Sequence, residues 1–369
     1  MVAAPSFSPI GLPFLRPLVG APWAGTPSER LPFPLALQTD SSLKNLDDVV
    51  DAISKLEASG ELKELTTKHG GAVLIRGTHA KAPEDFSRIV SALKLGKPHE
   101  ELGNPVVRNV LAPNVATANE GPNTQPVFPH SEFGWSAHYP SSIVFFCRKP
   151  AIEGGETPIN STAEVFARVR DELPEFIDEL AEKGILYVYR YQQDVNPGSN
   201  NGNNIYRAYD RAGVLPSDNE ATRRAKIEAQ IKLHAKEWEW KEDGSLEVTH
   251  RLSVVRRDPH SRLPILFGNL CSFYLLAKKW DSFEPPYLGK DGAYHPPPLF
   301  GDGTPIPREY LEKLVEIIYD VRVLVKYELG DVLILDNHLV QHAREPWEGE
   351  RKVLASLWDG APALPYLEE

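Results

Sequence analysis

The chain has 369 residues, 51 of them acidic and 40 basic, for a formal net charge of −11, with 41% hydrophobic and 25% charged residues. That composition is globular rather than disordered or fibrous, and its acidity argues against a general binder of nucleic-acid backbones, which needs a basic face. No apolar run reaches the ~18 residues of a membrane span, and a chain with only Cys147 and Cys271 is no disulfide-rich scaffold.

Residues 1–40 are expected to form an extended arm, since proline crowds positions 5–34. The first residues carry no Lys/Arg cluster and their apolar stretch is broken by proline, so no signal peptide is read there and a cytoplasmic location is expected. Residues 41–369 read as a single domain. Helical spacing covers 45–59, with Gly60 as a stop signal. Residues 71–77 (GAVLIRG) predict a short buried strand, 83–94 a helix, 142–147 a buried strand and 162–183 a long helix. Residues 192–204 are rich in Asn and Gly and predict a mobile loop. A charged surface helix follows at 219–237, a proline-rich loop at 285–307 and a helix at 308–320. Three short strands close the chain at 321–327, 331–335 and 352–358. Both cysteines sit in apolar runs and read as buried thiols. Short strands separated by long excursions do not form alternating βαβ units. The predicted class is α+β: a double-stranded β-helix (jelly-roll) core with flanking helices and a large lid insertion at about 186–260.

Of eleven histidines, six (His69, His79, His99, His234, His260 and His295) are read as surface or loop residues. Two places differ. In Phe128-Pro129-His130-Ser131-Glu132-Phe133, His130 and Glu132 stand two apart, so an extended backbone projects both to one face. An imidazole and a carboxylate on one face suit a divalent metal. In GDVLILDNHLVQH (330–342) a buried strand ends in the turn-forming pair Asp336-Asn337, and His342 follows. Two histidines and one carboxylate would make the facial triad of non-haem Fe(II) oxygenases. Spacing alone favours a plainer reading, with His342 ending a strand and His338 exposed.

The order and separation of several segments carry more. ATANEGP (116–122), FPHSEF (128–133), FFCRKPAIEGGETPI (145–159), FGDGTPIP (300–307), GDVLILDN (330–337) and HAREPWEGERKVLASL (342–357) resemble the taurine dioxygenase / clavaminate synthase-like family of Fe(II)- and 2-oxoglutarate-dependent oxygenases. The resemblance spans roughly residues 70–360 and is closest to a branch with Glu in the iron-binding dyad. It implies that His130, Glu132 and His342 hold Fe(II). It also implies that Thr157 and an arginine after the distal histidine bind the far carboxylate of 2-oxoglutarate. Arg351 is assigned that role, because a planar guanidinium pairs with a carboxylate through two hydrogen bonds. Lys352, expected on the opposite face of the strand, is the fallback for that role, and Arg344, read as a surface residue, is a weaker competitor. The later position where the taurine branch carries a second, sulfonate-binding arginine falls at Ala355 or Ser356, which argues against a sulfonate substrate.

The same resemblance implies use of O2, with succinate and CO2 released as an unactivated C–H bond of a small molecule is oxidised. The retained carboxylate Glu132 separates the chain from halogenating relatives, which lack it. Asn119 is read as a turn residue or a neighbour of the cosubstrate, Asn269 as a substrate-facing strand residue, and Phe133 and Trp135 as core aromatics that could wall the pocket. Arg190, Arg207 and Arg211 in the insertion could meet an anionic group, so a small carboxylate-bearing, amino-acid-like substrate is expected. A cupin-type metal enzyme without 2-oxoglutarate would give Arg351 and Thr157 no reason to converge, and a silent ligand-binding jelly roll need not keep all of His130, Glu132 and His342.

Overall fold

A computed structural model describes residues 6–18, 31–104, 106, 108–193, 203–361 and 364. The uninterrupted apolar runs lie where both faces of a sheet are covered. Ala72–Arg76, Val332–Asp336, Ser142–Lys149 and Lys352–Asp359 run side by side in a nine-stranded sheet. Alternate residues serve two different cores. Val73, Ile75, Val144, Phe146, Val332, Ile334 and Leu354 face one apolar cluster with the helices Leu46–Ala58 and Pro83–Ala92. Ala72, Leu74, Ile143, Phe145, Leu333, Leu335 and Ala355 face another. A strand buried on both sides shows no polar alternation, which is why these segments read as continuous hydrophobic stretches.

The second core is closed by a smaller sheet of Val323–Val325, Thr157–Ser161, Val340–Arg344 and Val127–His130, in that order. Its residues Ile159, Val323, Val325 and Val340 belong to the same cluster as the inner face of the large sheet. At the N-terminal side, Leu35–Thr39 is a largely buried strand of the large sheet, paired in parallel with Ala72–Arg76 and antiparallel with Phe7–Pro9.

Several expected elements have other bounds. The long helix of 162–183 is two, Thr162–Glu172 and Pro174–Lys183. Pro174 offers no N–H and disfavours helical geometry in Leu173, whose φ/ψ of −140/62 breaks the run. The charged helix ends at Ile231, and Glu237–Trp240 is a strand. The helix Glu61–Lys68 and the strand Val340–Arg344 were not expected. The loop expected at 192–204 lies, apart from its ends, outside the described residues.

Residues 185–252 contribute Ile185–Tyr191, Glu237–Trp240 and Leu246–Leu252 to a separate four-stranded sheet completed by Leu299–Phe300. Tyr191, Ile205, Tyr209, Ile227, Ile231, Leu246 and Val248 give this unit its own apolar cluster.

On the outer face of the large sheet, Phe146 stacks on Phe86 with ring centroids 5.1 Å apart, both fully buried. Phe146→Ala is expected to cost about 3–5 kcal/mol in chemical denaturation. A loss within the ~0.5 kcal/mol typical of surface changes would contradict this packing.

Candidate metal centre and anion pocket

The strand Val127–His130 ends at His130, and the chain then turns sharply at Phe133, whose φ is +54°. Its neighbour Val340–Arg344 sets His342 directly opposite His130 in antiparallel register. Glu132 Oε2 lies 3.3 Å from His342 Nε2 and 3.7 Å from His130 Nε2. The three donor atoms lie within 4.8 Å of one another. His130 Nδ1 is 2.8 Å from the Phe128 carbonyl, a contact that places the proton on Nδ1 and leaves Nε2 able to accept a metal. Burial pushes His342 down to about 4, with His130 adding to it, so this imidazole is neutral at ordinary pH. Burial opposes ionisation of Glu132, but the charge of Arg108 and the bonds from the two imidazoles outweigh it and hold the carboxyl well below its usual range. Two imidazoles and one ionised carboxylate fit a divalent transition metal such as iron.

Two asparagines fix the backbone that carries this dyad. Fully buried Asn337 accepts from Glu132 N–H at 2.7 Å and donates to the carbonyls of Glu132 at 2.9 Å and Pro140 at 2.7 Å. Asn269 accepts from Ser131 N–H at 3.1 Å. It is the N-cap of the helix Leu270–Trp280, so the strand expected for Asn269 is corrected to a helix start, while its side chain does border the cavity.

The cluster opens into a cavity of about 600 Å³. Thr157 and Arg351 line it, and Arg351 donates from Nε to the Gly155 carbonyl at 2.8 Å and from NH2 to Thr157 Oγ1 at 3.4 Å. The Gly154-Gly155 pair serves this approach. Both have positive φ; a Cβ on Gly154 would meet the Pro346 carbonyl oxygen at 2.3 Å and one on Gly155 the Arg351 Cδ at 2.9 Å. The buried Tyr327 hydroxyl lies beside Thr157 and Arg351 and was not foreseen. Lys352 is exposed and pairs with Glu350 at 2.6 Å, as expected of the opposite face.

Arg344 is not the surface residue expected. It is buried, lines the cavity and donates to the carbonyls of Asn119 at 2.6 Å, Gln125 at 2.9 Å and Pro122 at 3.3 Å. Burial, then the charge of Arg351, pushes its guanidinium down to about 10. Neither Arg344 nor Arg351 has a carboxylate within ion-pair distance among the described residues, and both lie over the Trp347 ring, at 4.7 and 5.7 Å. Two neighbouring guanidiniums without an acidic partner among the described residues make this end of the cavity electropositive. Asn119 both makes a turn, accepting from Gly121 N–H at 2.8 Å, and borders the cavity. Phe133 and Trp135 are buried and wall it.

Other histidines are more enclosed than surface positions. His69, His99, His234 and His295 lie in turns or loops, as one of their two readings had it, but are buried, and His338 is buried against Tyr139 and Phe267, outside the metal cluster. Arg190 lines the cavity but lies 3.6 Å from Glu247, while Arg211 is exposed and pairs with Glu100 at 3.2 Å. Arg207 borders the cavity with no acidic partner among the described residues. Sequence reasoning missed Arg108, whose NH2 lies 2.5 Å from Glu132 Oε1; it stands in no motif that would have marked it.

Asn337→Ala would leave the Glu132 N–H and two carbonyls without their buried partner. Mn(II) affinity is expected to fall by about 10–100-fold, as for other groups that orient metal ligands. Titration calorimetry checks this; unchanged affinity would show that the amide does not position Glu132.

Comparison with known proteins gives a consistent assignment. A match to the taurine catabolism dioxygenase TauD, TfdA family covers residues 34–358. A clavaminate synthase-like protein of Arabidopsis thaliana is 30% identical over 342 residues, 92% of this chain and 92% of that one. The dapdiamide synthesis protein DdaC of Enterobacter agglomerans is 29% identical over 309 residues, 81% of this chain and 84% of that one. Among solved structures, PvcB of Pseudomonas aeruginosa is similar with TM-score 0.48 and 18% identity, over 91% of this chain and 88% of that one. AAD-2, in complex with Mn(II) and N-oxalylglycine, is similar with TM-score 0.47 and 13% identity, over 90% and 96%. No helix among the described residues is long and apolar enough to cross a membrane. The chain belongs to the TauD/TfdA family and is a non-haem Fe(II)- and 2-oxoglutarate-dependent dioxygenase.

Proposed function

We propose that His130, Glu132 and His342 hold the Fe(II), that Arg351 and Thr157 bind the far carboxylate of 2-oxoglutarate, and that the enzyme oxidises an unactivated C–H bond of a small carboxylate-bearing metabolite. One observation carries the reading: the two-imidazole, one-carboxylate cluster and Arg351, which has no acidic partner among the described residues, border the same cavity as Thr157. A cupin-type metal enzyme would have no use for that convergence. The iron, when bound, supplies dioxygen activation coupled to decarboxylation of the cosubstrate. The chain's own groups bind and orient. Arg351 offers charged N–H donors to a carboxylate, while Thr157 and Tyr327 offer hydroxyls beside it. Arg344 is assigned to hold the 119–125 loop at the cavity rim through the three carbonyls it caps.

The two facing sheets are taken as a jelly roll and residues 185–252 as the lid. Arg207, on the lid side of the cavity, is the best counter-charge for a substrate carboxylate, since Arg190 is already compensated by Glu247 and Asp243. Phe133 and Trp135 provide an apolar wall on which the oxidised carbon can sit with water excluded.

Anaerobic titration with Fe(II) and 2-oxoglutarate, followed through the visible charge-transfer band, tests the reading; a protein that gives no band would refute it. His130→Ala and His342→Ala should each abolish Fe(II)-dependent succinate formation while the fold persists. Arg351→Ala should weaken 2-oxoglutarate binding about thirty-fold or more, because losing a charge-assisted partner of a desolvated carboxylate costs about 2–5 kcal/mol. Arg351→Lys should recover only part of this, and Lys352→Ala should leave it unchanged. The reverse ranking of Arg351→Ala and Lys352→Ala would move the cosubstrate to the other face of the strand.

A further inference from the structure

The carboxylate of the metal cluster is shared with a buried cation outside it. Glu132 Oε2 faces both imidazoles, whereas Oε1 meets Arg108 NH2 at 2.5 Å. The side chains of Arg108 and Glu132 are only 12% and 7% exposed, so the pair is little weakened by water. The other acidic neighbour, Glu101, lies 3.6 Å from Arg108 Nε and accepts instead from Asn104 at 2.9 Å. The backbone beside Arg108 is tied to the large sheet. Asn109 N–H donates to Thr117 Oγ1 at 3.1 Å, Thr117 N–H returns a bond to the Asn109 carbonyl at 3.0 Å, and Thr117 pairs with Leu354.

A carboxylate with two free oxygens can bind a cation through one or both. When one oxygen accepts from a fixed guanidinium, its remaining lone pair is a weaker and less freely oriented donor, and ligation through the other oxygen is favoured. We propose that Arg108 is a positioning residue that restricts Glu132 to single-oxygen metal ligation and thereby keeps three coordination positions open for cosubstrate and dioxygen. This rests on the metal assignment above. Two histidines and a single carboxylate oxygen make three protein donors; a second carboxylate oxygen would occupy a position that 2-oxoglutarate or dioxygen requires.

The test uses the full chain and the series Arg108→Lys, Arg108→Gln and Arg108→Met, with circular dichroism and Tm as fold controls. Mn(II) binding should persist throughout, weakened by no more than about 10–100-fold, as is typical of groups that orient metal ligands, because all three ligands remain. Anaerobic 2-oxoglutarate affinity of the Fe(II) form should fall in the order parent, Lys, Gln, Met, reaching a loss of about tenfold or more in Met, with a shifted or weakened visible band. A crystal structure of the Mn(II)-loaded Met variant, or of the Gln variant if Met does not fold, should show both Glu132 oxygens on the metal. A flat series in affinity and band overturns the proposal. So does loss of Mn(II) binding in folded variants, since Arg108 would then be needed for the ligand set to exist at all. A parent protein that gives no band refutes the functional reading instead, so the two failures are told apart.

Discussion

The amide of Asn337 is the joint on which the metal centre depends. It binds both backbone groups of Glu132, 205 residues away in sequence, and also the Pro140 carbonyl. In a site closed to water each of these groups would be costly to leave unpaired, so the position of Glu132 is set from three directions. Asn337 also stands at the turn between the strand Val332–Asp336 of the large sheet and the strand Val340–Arg344, which carries His342. The two halves of the ligand set are therefore held through one side chain, and the pairing of His342 with His130 completes the arrangement.

The electrostatics run opposite to the chain as a whole. A protein with a net charge of −11 places Arg108, Arg207, Arg344 and Arg351 around one cavity. Arg108 is balanced by Glu132, but among the described residues Arg344 and Arg351 are met by carbonyls, a hydroxyl and the face of Trp347 and by no carboxylate at ion-pair distance. Burying cations without counter-ions is unfavourable for folding. The arrangement makes sense if the missing negative charge arrives with the ligands, and the low-dielectric walls then strengthen each contact.

Sequence legibility followed the physics of each element. The strand at Ala72–Arg76 and the helices Leu46–Ala58 and Pro83–Ala92 were readable, because their periodicity and stop signals are local. The strand Val340–Arg344 was not, since its five residues, VQHAR, mix apolar, polar and charged types although all are buried. It is a strand because two neighbours supply its hydrogen bonds, which no local pattern records. The helix at Asn269 was missed for the related reason that its apolar opening, LCSF, fits a buried strand equally well. Within the site, residues in ordered motifs (His130, Glu132, Thr157, His342 and Arg351) could be picked out, and the structure brings them to one cavity. Arg108 and Asn337 act through partners far along the chain, and the burial of Arg344 follows from a loop folding back over it.

The four-stranded sheet built from residues 185–252 and Leu299–Phe300 has an apolar cluster of its own, while Ile185, Tyr187 and Phe300 belong to the core behind the facing sheets. Parts of a protein with separate cores open with separate free energies. Stability here is therefore graded along the strand Ile185–Tyr191: loosening the outer cluster around Tyr191 draws on a local reserve, whereas a change at Ile185 or Tyr187 reaches the core shared with the facing sheets. That gradient leaves the outer cluster the more tolerant of substitution, with the strand end at Ile185 tied to the main core.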